Sequence, residues 1–134
     1  MKKLIALAMM ICVAGATAWA DEPPRELKEM IEKASGLLEQ GKYLEYYQLT
    51  THPRMREAYE KGGISLEKLA LIMEKKPEVQ TVFKKAFTAM KSSGCQVNKA
   101  KTEATFQLPG LAETKLGGVL SFELFEKRWY MSYK

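Results

Sequence analysis

The chain has 134 residues, 46% apolar and 28% charged, a balance that suits one packed core with a wet surface. Lys and Arg number 21 against 16 acidic residues, a formal charge of +5, which is too mild an excess to mark a nucleic-acid binder. Two cysteines and one histidine exclude a structural zinc centre and a disulfide-rich scaffold.

Residues 1–20 read as a secretory signal. Lys2 and Lys3 open it, an uncharged run extends from Leu4 to Ala16, and Ala18 and Ala20 place small residues ahead of Asp21. The run is shorter than the roughly 20 apolar residues that span a bilayer. Cys12 follows Met9, Met10 and Ile11, so it lacks the small neighbour of a lipidated cysteine. The expectation is cleavage after Ala20. That leaves residues 21–134 as a single α+β domain, periplasmic or secreted, with no stable membrane insertion. Cys95 is then the sole thiol, expected to be at least partly buried as a small hydrophobe.

Pro23 and Pro24 suit the entry to a helix. Leu27, Met30, Ile31, Ala34, Leu37 and Leu38 recur at helical spacing and predict an amphipathic helix ending near Gly41. A shorter helix is predicted over Lys42–Thr50, with Tyr43 and Tyr47 four apart on one face. The Thr-His-Pro sequence at 51–53 breaks it, because proline disfavours helix in the residue before it. Arg54–Lys61 suits one or two further turns. Ser65 is a good N-cap for a helix carrying Leu66, Leu69, Ala70, Ile72 and Met73. Pro77 sits at the first position of another, with Val79, Val82, Phe83, Ala86, Phe87 and Met90 on its apolar face.

Past Gly94 the period changes to two. Ala100, Thr102, Ala104, Phe106 and Leu108 alternate with polar residues and predict a half-buried strand, stopped by Pro109-Gly110. A second strand is predicted from Leu116, with Leu120, Phe122 and Leu124 on one side. In a third, Trp129, Met131 and Tyr133 share a face, and Arg128, Tyr130 and Ser132 share the other. Opposed residues of antiparallel strands lie on one side of a sheet. A turn centred on Glu126-Lys127 therefore pairs Leu124 with Trp129, Phe122 with Met131 and Leu120 with Tyr133. Both a two-residue and a four-residue connection keep those partners, and Glu-Lys is poor chemistry for the tighter one. The expected fold is α+β: N-terminal helices packed on a C-terminal three-stranded antiparallel sheet.

The segments "ATFQLPG" and "LSFELFEKRWYMSY" resemble the end of small uncharacterised secreted bacterial proteins of the cystatin-like and nuclear-transport-factor-2-like groups. Lys127 stands where such hairpins usually have Gly. The resemblance implies helices laid on a curved antiparallel sheet. It implies no single activity, because the group includes enzymes, ligand binders and unassigned modules.

Catalytic chemistry has few candidates. His52 as general base for Cys95 is one reading, and a solvated loop histidine is the other, favoured because no third group orients such a pair. Gly62-Gly63 and Gly117-Gly118 lack the context of a phosphate loop. Paired acids such as Glu57 and Glu60 read as solvated helix faces, as do Lys75-Lys76 and Lys84-Lys85. No catalytic residue, metal ligand or cofactor is expected. The most suggestive set is aromatic: Tyr43, Tyr46, Tyr47, Phe106, Phe122 and Trp129, with Met131 and with Tyr59 beside them. These either line a ligand cavity between helices and sheet or simply fill the core, as aromatic stripes normally do. The expected function is a non-enzymatic exported domain binding a small apolar ligand or a protein partner. The alternatives are a transport-factor-like hydrolase or isomerase with a cavity active site, and an inhibitor or immunity-type protein acting through its surface.

Overall fold

A computed structural model describes residues 21–111 and 118–132. Residues 1–20, where a secretory signal is expected, the predicted start of the second strand at Leu116, and Tyr133 lie outside the described residues.

Among the described residues five helices come first: α1 (Arg25–Glu39), α2 (Tyr43–Thr50), α3 (Pro53–Lys61), α4 (Leu66–Glu74) and α5 (Pro77–Lys91). Their ends follow local chemistry. Gly41 takes φ 72°, and the amides of Gly41 and Lys42 return to the carbonyls of Leu38 and Leu37, closing α1. Ser65 Oγ accepts from the Lys68 amide at 3.1 Å and caps α4. Pro77 opens α5, where its missing N–H would have had no partner in the helix.

A four-stranded antiparallel sheet follows, in the order β1 (Gln96–Val97), β2 (Glu103–Gln107), β3 (Val119–Phe125) and β4 (Arg128–Met131). The three-strand expectation is corrected by β1, whose two residues are too few to show a period. The predicted strand from Ala100 is also shortened. Asn98 Oδ1 accepts from the amides of Thr102 and Glu103, at 2.8 and 3.0 Å. Lys101 takes φ 57°, so 98–101 is a turn and β2 starts later.

The hairpin register is the predicted one: Leu124 opposes Trp129 and Phe122 opposes Met131. The turn is the tight form, with Phe125 opposite Arg128 and both Glu126 and Lys127 left-handed, at φ 49° and 68°. Two single-residue bridges flank the sheet. Asp21 pairs with Cys95 before β1, and Thr51 pairs in parallel with Met131 on β4.

The core lies between the layers. Leu27, Ile31, Ala34 and Leu38 of α1 and Ala86, Phe87 and Met90 of α5 meet Ala104, Phe106, Leu120, Phe122 and Trp129 of the sheet. Phe122 meets Phe87 at 6.4 Å and Phe106 at 5.7 Å, both edge to face. On α4, Leu66, Ala70 and Met73 turn inward, while Ile72, predicted to lie on the apolar face, is exposed beside Leu71. Helix α3 contributes no buried residue. It lies as a flap on the molecule, tied at its N-terminal end.

Candidate functional site

That tie is His52. Pro53 bars helix at position 52, so the chain turns there and the imidazole folds back on the following backbone. Its Nδ1 accepts from the Arg54 amide at 3.0 Å and caps α3. A ring nitrogen that accepts carries no proton, so the neutral ring holds its proton on Nε2. Nε2 lies 3.2 Å from Glu123 Oε1 on β3. The pair is close but poorly aligned, and Oε1 makes no geometrically sound hydrogen bond among the described residues. Phe125 and Tyr130 pack their rings against the imidazole at 4.7 and 5.7 Å, and the Arg54 guanidinium covers Phe125. His52 is 2% exposed, which overturns the solvated-loop reading. The outer face of β3–β4 is therefore covered near Tyr130.

Beside His52 lies a cleft of about 220 Å³. Helix α2 supplies Tyr46, Tyr47 and Thr50, and the link to α3 supplies Thr51 and His52. Met55 and Tyr59 come from α3, Leu69 from α4 and Phe83 from α5, and Met131 and Ser132 close the sheet side. Tyr46 is the hub. Its ring meets Tyr47, Phe83 and Phe87 edge to face, at 5.2, 6.0 and 5.6 Å. Its hydroxyl points to the Met131 sulfur at 3.6 Å, and Thr50 Oγ1 donates to its carbonyl at 2.9 Å. Burial holds the Tyr46 phenol far above the ordinary range, with Tyr47 adding to the effect and the Thr50 hydroxyl opposing it. Tyr47 is pushed up to about 12, mainly by burial and then by Tyr59.

The aromatic set thus divides. Tyr46, Tyr47 and Met131 come together at the cleft, and Tyr59 joins them. Phe106, Phe122 and Trp129 fill the core between helices and sheet. Tyr43 faces a separate, more open groove of about 440 Å³ between the start of α2 and α4. Sequence reasoning missed Phe83, Leu69, Met55 and the Thr50–His52 link as cleft residues. Their only signal was a change of helix at Thr-His-Pro, where two helix ends and a strand converge.

Cys95 is fully buried at the opposite edge of the sheet from β4. Two to three strand spacings, roughly 10–14 Å, separate it from the His52 ring over β3 and β4, so the two do not form a nucleophile–base pair. Burial, aided by Asp21, pushes its thiol up to about 11, which keeps it protonated and unreactive at neutral pH. Among the described residues no three His, Cys, Asp or Glu side chains cluster as metal ligands. Among them, too, no helix is long and apolar enough to cross a membrane.

No protein-family model, curated protein or solved structure matches the chain at a significant level.

Proposed function

We propose that the chain is an exported, non-enzymatic binding domain, built on a cystatin-like or nuclear-transport-factor-2-like plan, whose cleft between α2, α3 and β4 takes a small apolar ligand. The carrying observation is the space of about 220 Å³ walled by Tyr46, Tyr47, Tyr59, Phe83, Leu69 and Met131. Concave, mostly apolar sites with a few polar groups are the usual form of small-molecule sites. A non-enzymatic role agrees with His52, whose nitrogens face the Arg54 amide and Glu123 and leave no free base toward the cleft. Export rests on the signal-like residues 1–20, and intact mass of protein from a secreting host should begin at Asp21. A retained Met1 would remove that part of the reading.

The cleft is tested by following the protein's NMR spectrum during titration with toluene. Shifts should concentrate on Tyr47, Tyr59 and Phe83. They should vanish in Met55→Trp, which fills the cleft from a helix with no buried residue of its own. Shifts scattered over the surface, or unchanged by Met55→Trp, would sink the reading.

A protein partner is the second reading. It is favoured by Leu71 and Ile72, 54% and 43% exposed side by side on α4 next to the open groove. A Leu71→Glu, Ile72→Lys variant should then lose a partner captured from the exported fraction while still binding toluene. An inhibitor or immunity-type role would use this same surface.

A further inference from the structure

The cleft constrains its occupant by size, by charge and by one hydrogen bond. A dry apolar cavity of about 150 Å³ accepts benzene. At about 220 Å³, this cleft has room for one ring and a small substituent. The tyrosine and phenylalanine walls already meet edge to face, and a further ring can join that pattern.

The described lining is uncharged. Among the described residues no Lys, Arg, Asp or Glu side chain borders the cleft, and the titratable groups there are three tyrosines and His52. Among the described residues, the charged side chains beside His52 include Glu123 on β3, next to Nε2, and Arg54, stacked on Phe125. An ionised ligand would be desolvated there without a counter-charge, which is costly.

The hydrogen bond is that of Tyr46. Its hydroxyl is on a residue only 1% exposed, and its acceptor is the Met131 thioether at 3.6 Å. A thioether sulfur is a weak acceptor. A carbonyl or ether oxygen placed at Met131 would receive the same proton with better geometry, and burial keeps that proton on the phenol.

We infer that the ligand is an uncharged, single-ring aromatic molecule bearing one hydrogen-bond acceptor, which Tyr46 receives through its hydroxyl. This inference rests on the cleft being the binding site.

The test compares acetophenone, toluene and benzoate by calorimetry and NMR. Acetophenone should bind more tightly than toluene, by up to about tenfold, because an oxygen acceptor replaces the weaker Met131 sulfur as partner of the Tyr46 hydroxyl. Benzoate at neutral pH should bind more weakly than either. Tyr46→Phe keeps the ring and should erase the advantage of acetophenone while leaving toluene unchanged. Met131→Leu keeps the volume but removes the internal acceptor, and should tighten acetophenone alone. If toluene binds but acetophenone gains nothing, or benzoate binds best, the ligand class is wrong and the cleft stands. The class also falls if Met131→Leu leaves acetophenone unchanged. If none of the three binds, the cleft itself is not the site.

Discussion

One imidazole joins three parts of this molecule. His52 caps α3 through Nδ1, reaches Glu123 on β3 through Nε2, and seats its ring on Phe125 and Tyr130. Losing an N-cap costs about 1 kcal/mol, and each ring contact is worth about 0.5–1.5 kcal/mol. His52→Ala removes the cap and the contacts with Phe125 and Tyr130, so it should lose about 2–4 kcal/mol in urea unfolding. His52→Asn can still accept from the Arg54 amide and should recover the capping share, about 1 kcal/mol. Equal losses in the two variants would show that the cap contributes nothing. None of this was legible in Thr-His-Pro. The sequence marks the break in the helix, but the burial of a histidine beside it is decided by residues of β3 and β4 far along the chain.

At the scale of elements, the hairpin was legible because its pattern is long enough to have a period. Phe122 and Leu124 facing Met131 and Trp129 leave one register that turns all four to the core side, with Phe122 and Trp129 buried and Leu124 and Met131 partly so. Strand β1 was not legible, since Gln96–Val97 is too short to alternate. The helix starts at Ser65 and Pro77 were, because caps are local chemistry. The turn went against local preference. Glu126 and Lys127 both adopt left-handed angles, for which each non-glycine residue pays roughly 1–2 kcal/mol. The twist of a two-residue hairpin demands those angles, and the packed faces on either side enforce them. Lys127→Gly should stabilise the protein by about 1 kcal/mol, and Glu126→Asn together with it by more. A lower urea midpoint for the pair would mean that the Glu126 or Lys127 side chain makes a contact worth more than the strain. The cleft was half legible: two helices ending near one strand predict a convergence, but which aromatics face it depends on how α2 rotates on α4 and α5.

At the scale of the whole molecule, the folded state holds the protons of three buried or partly buried described groups, one thiol and two phenols, more tightly than the unfolded chain. Cys95 is raised to about 11, Tyr47 to about 12 and Tyr46 further still, each chiefly by burial. The unfolded chain releases these protons first as pH rises, so stability falls with pH in that window. Their contribution should be level below the ordinary thiol value near 9 and should decline from there through pH 12. Urea midpoints measured from pH 7 to 11 should show this. Phenolate absorbance from Tyr46 should then rise together with unfolding, and thiol labelling of Cys95 should be slow in the native protein and quick in urea. A sloping midpoint between pH 7 and 8.5, or rapid native labelling, would contradict the assignment.

The two bridges at the margins of the sheet bear on how copies of the protein behave in a crowded compartment. An exposed strand edge is a template on which another chain can add. Beside β1, Asp21 exchanges both backbone hydrogen bonds with Cys95, at 2.9 Å each, and its Oδ2 takes the Val97 amide at 3.0 Å. Beside β4, Thr51 occupies the place opposite Met131. Among the described residues one residue on each side thus blunts strand addition, and the two margins are unequal in what maintains them. Thr51 is fixed between two helices, whereas Asp21 is followed by only a short Glu-Pro-Pro lead before α1. Loss of Asp21 would uncover the β1 margin while leaving the core and the cleft intact, and polymerisation through that margin would be its expected form.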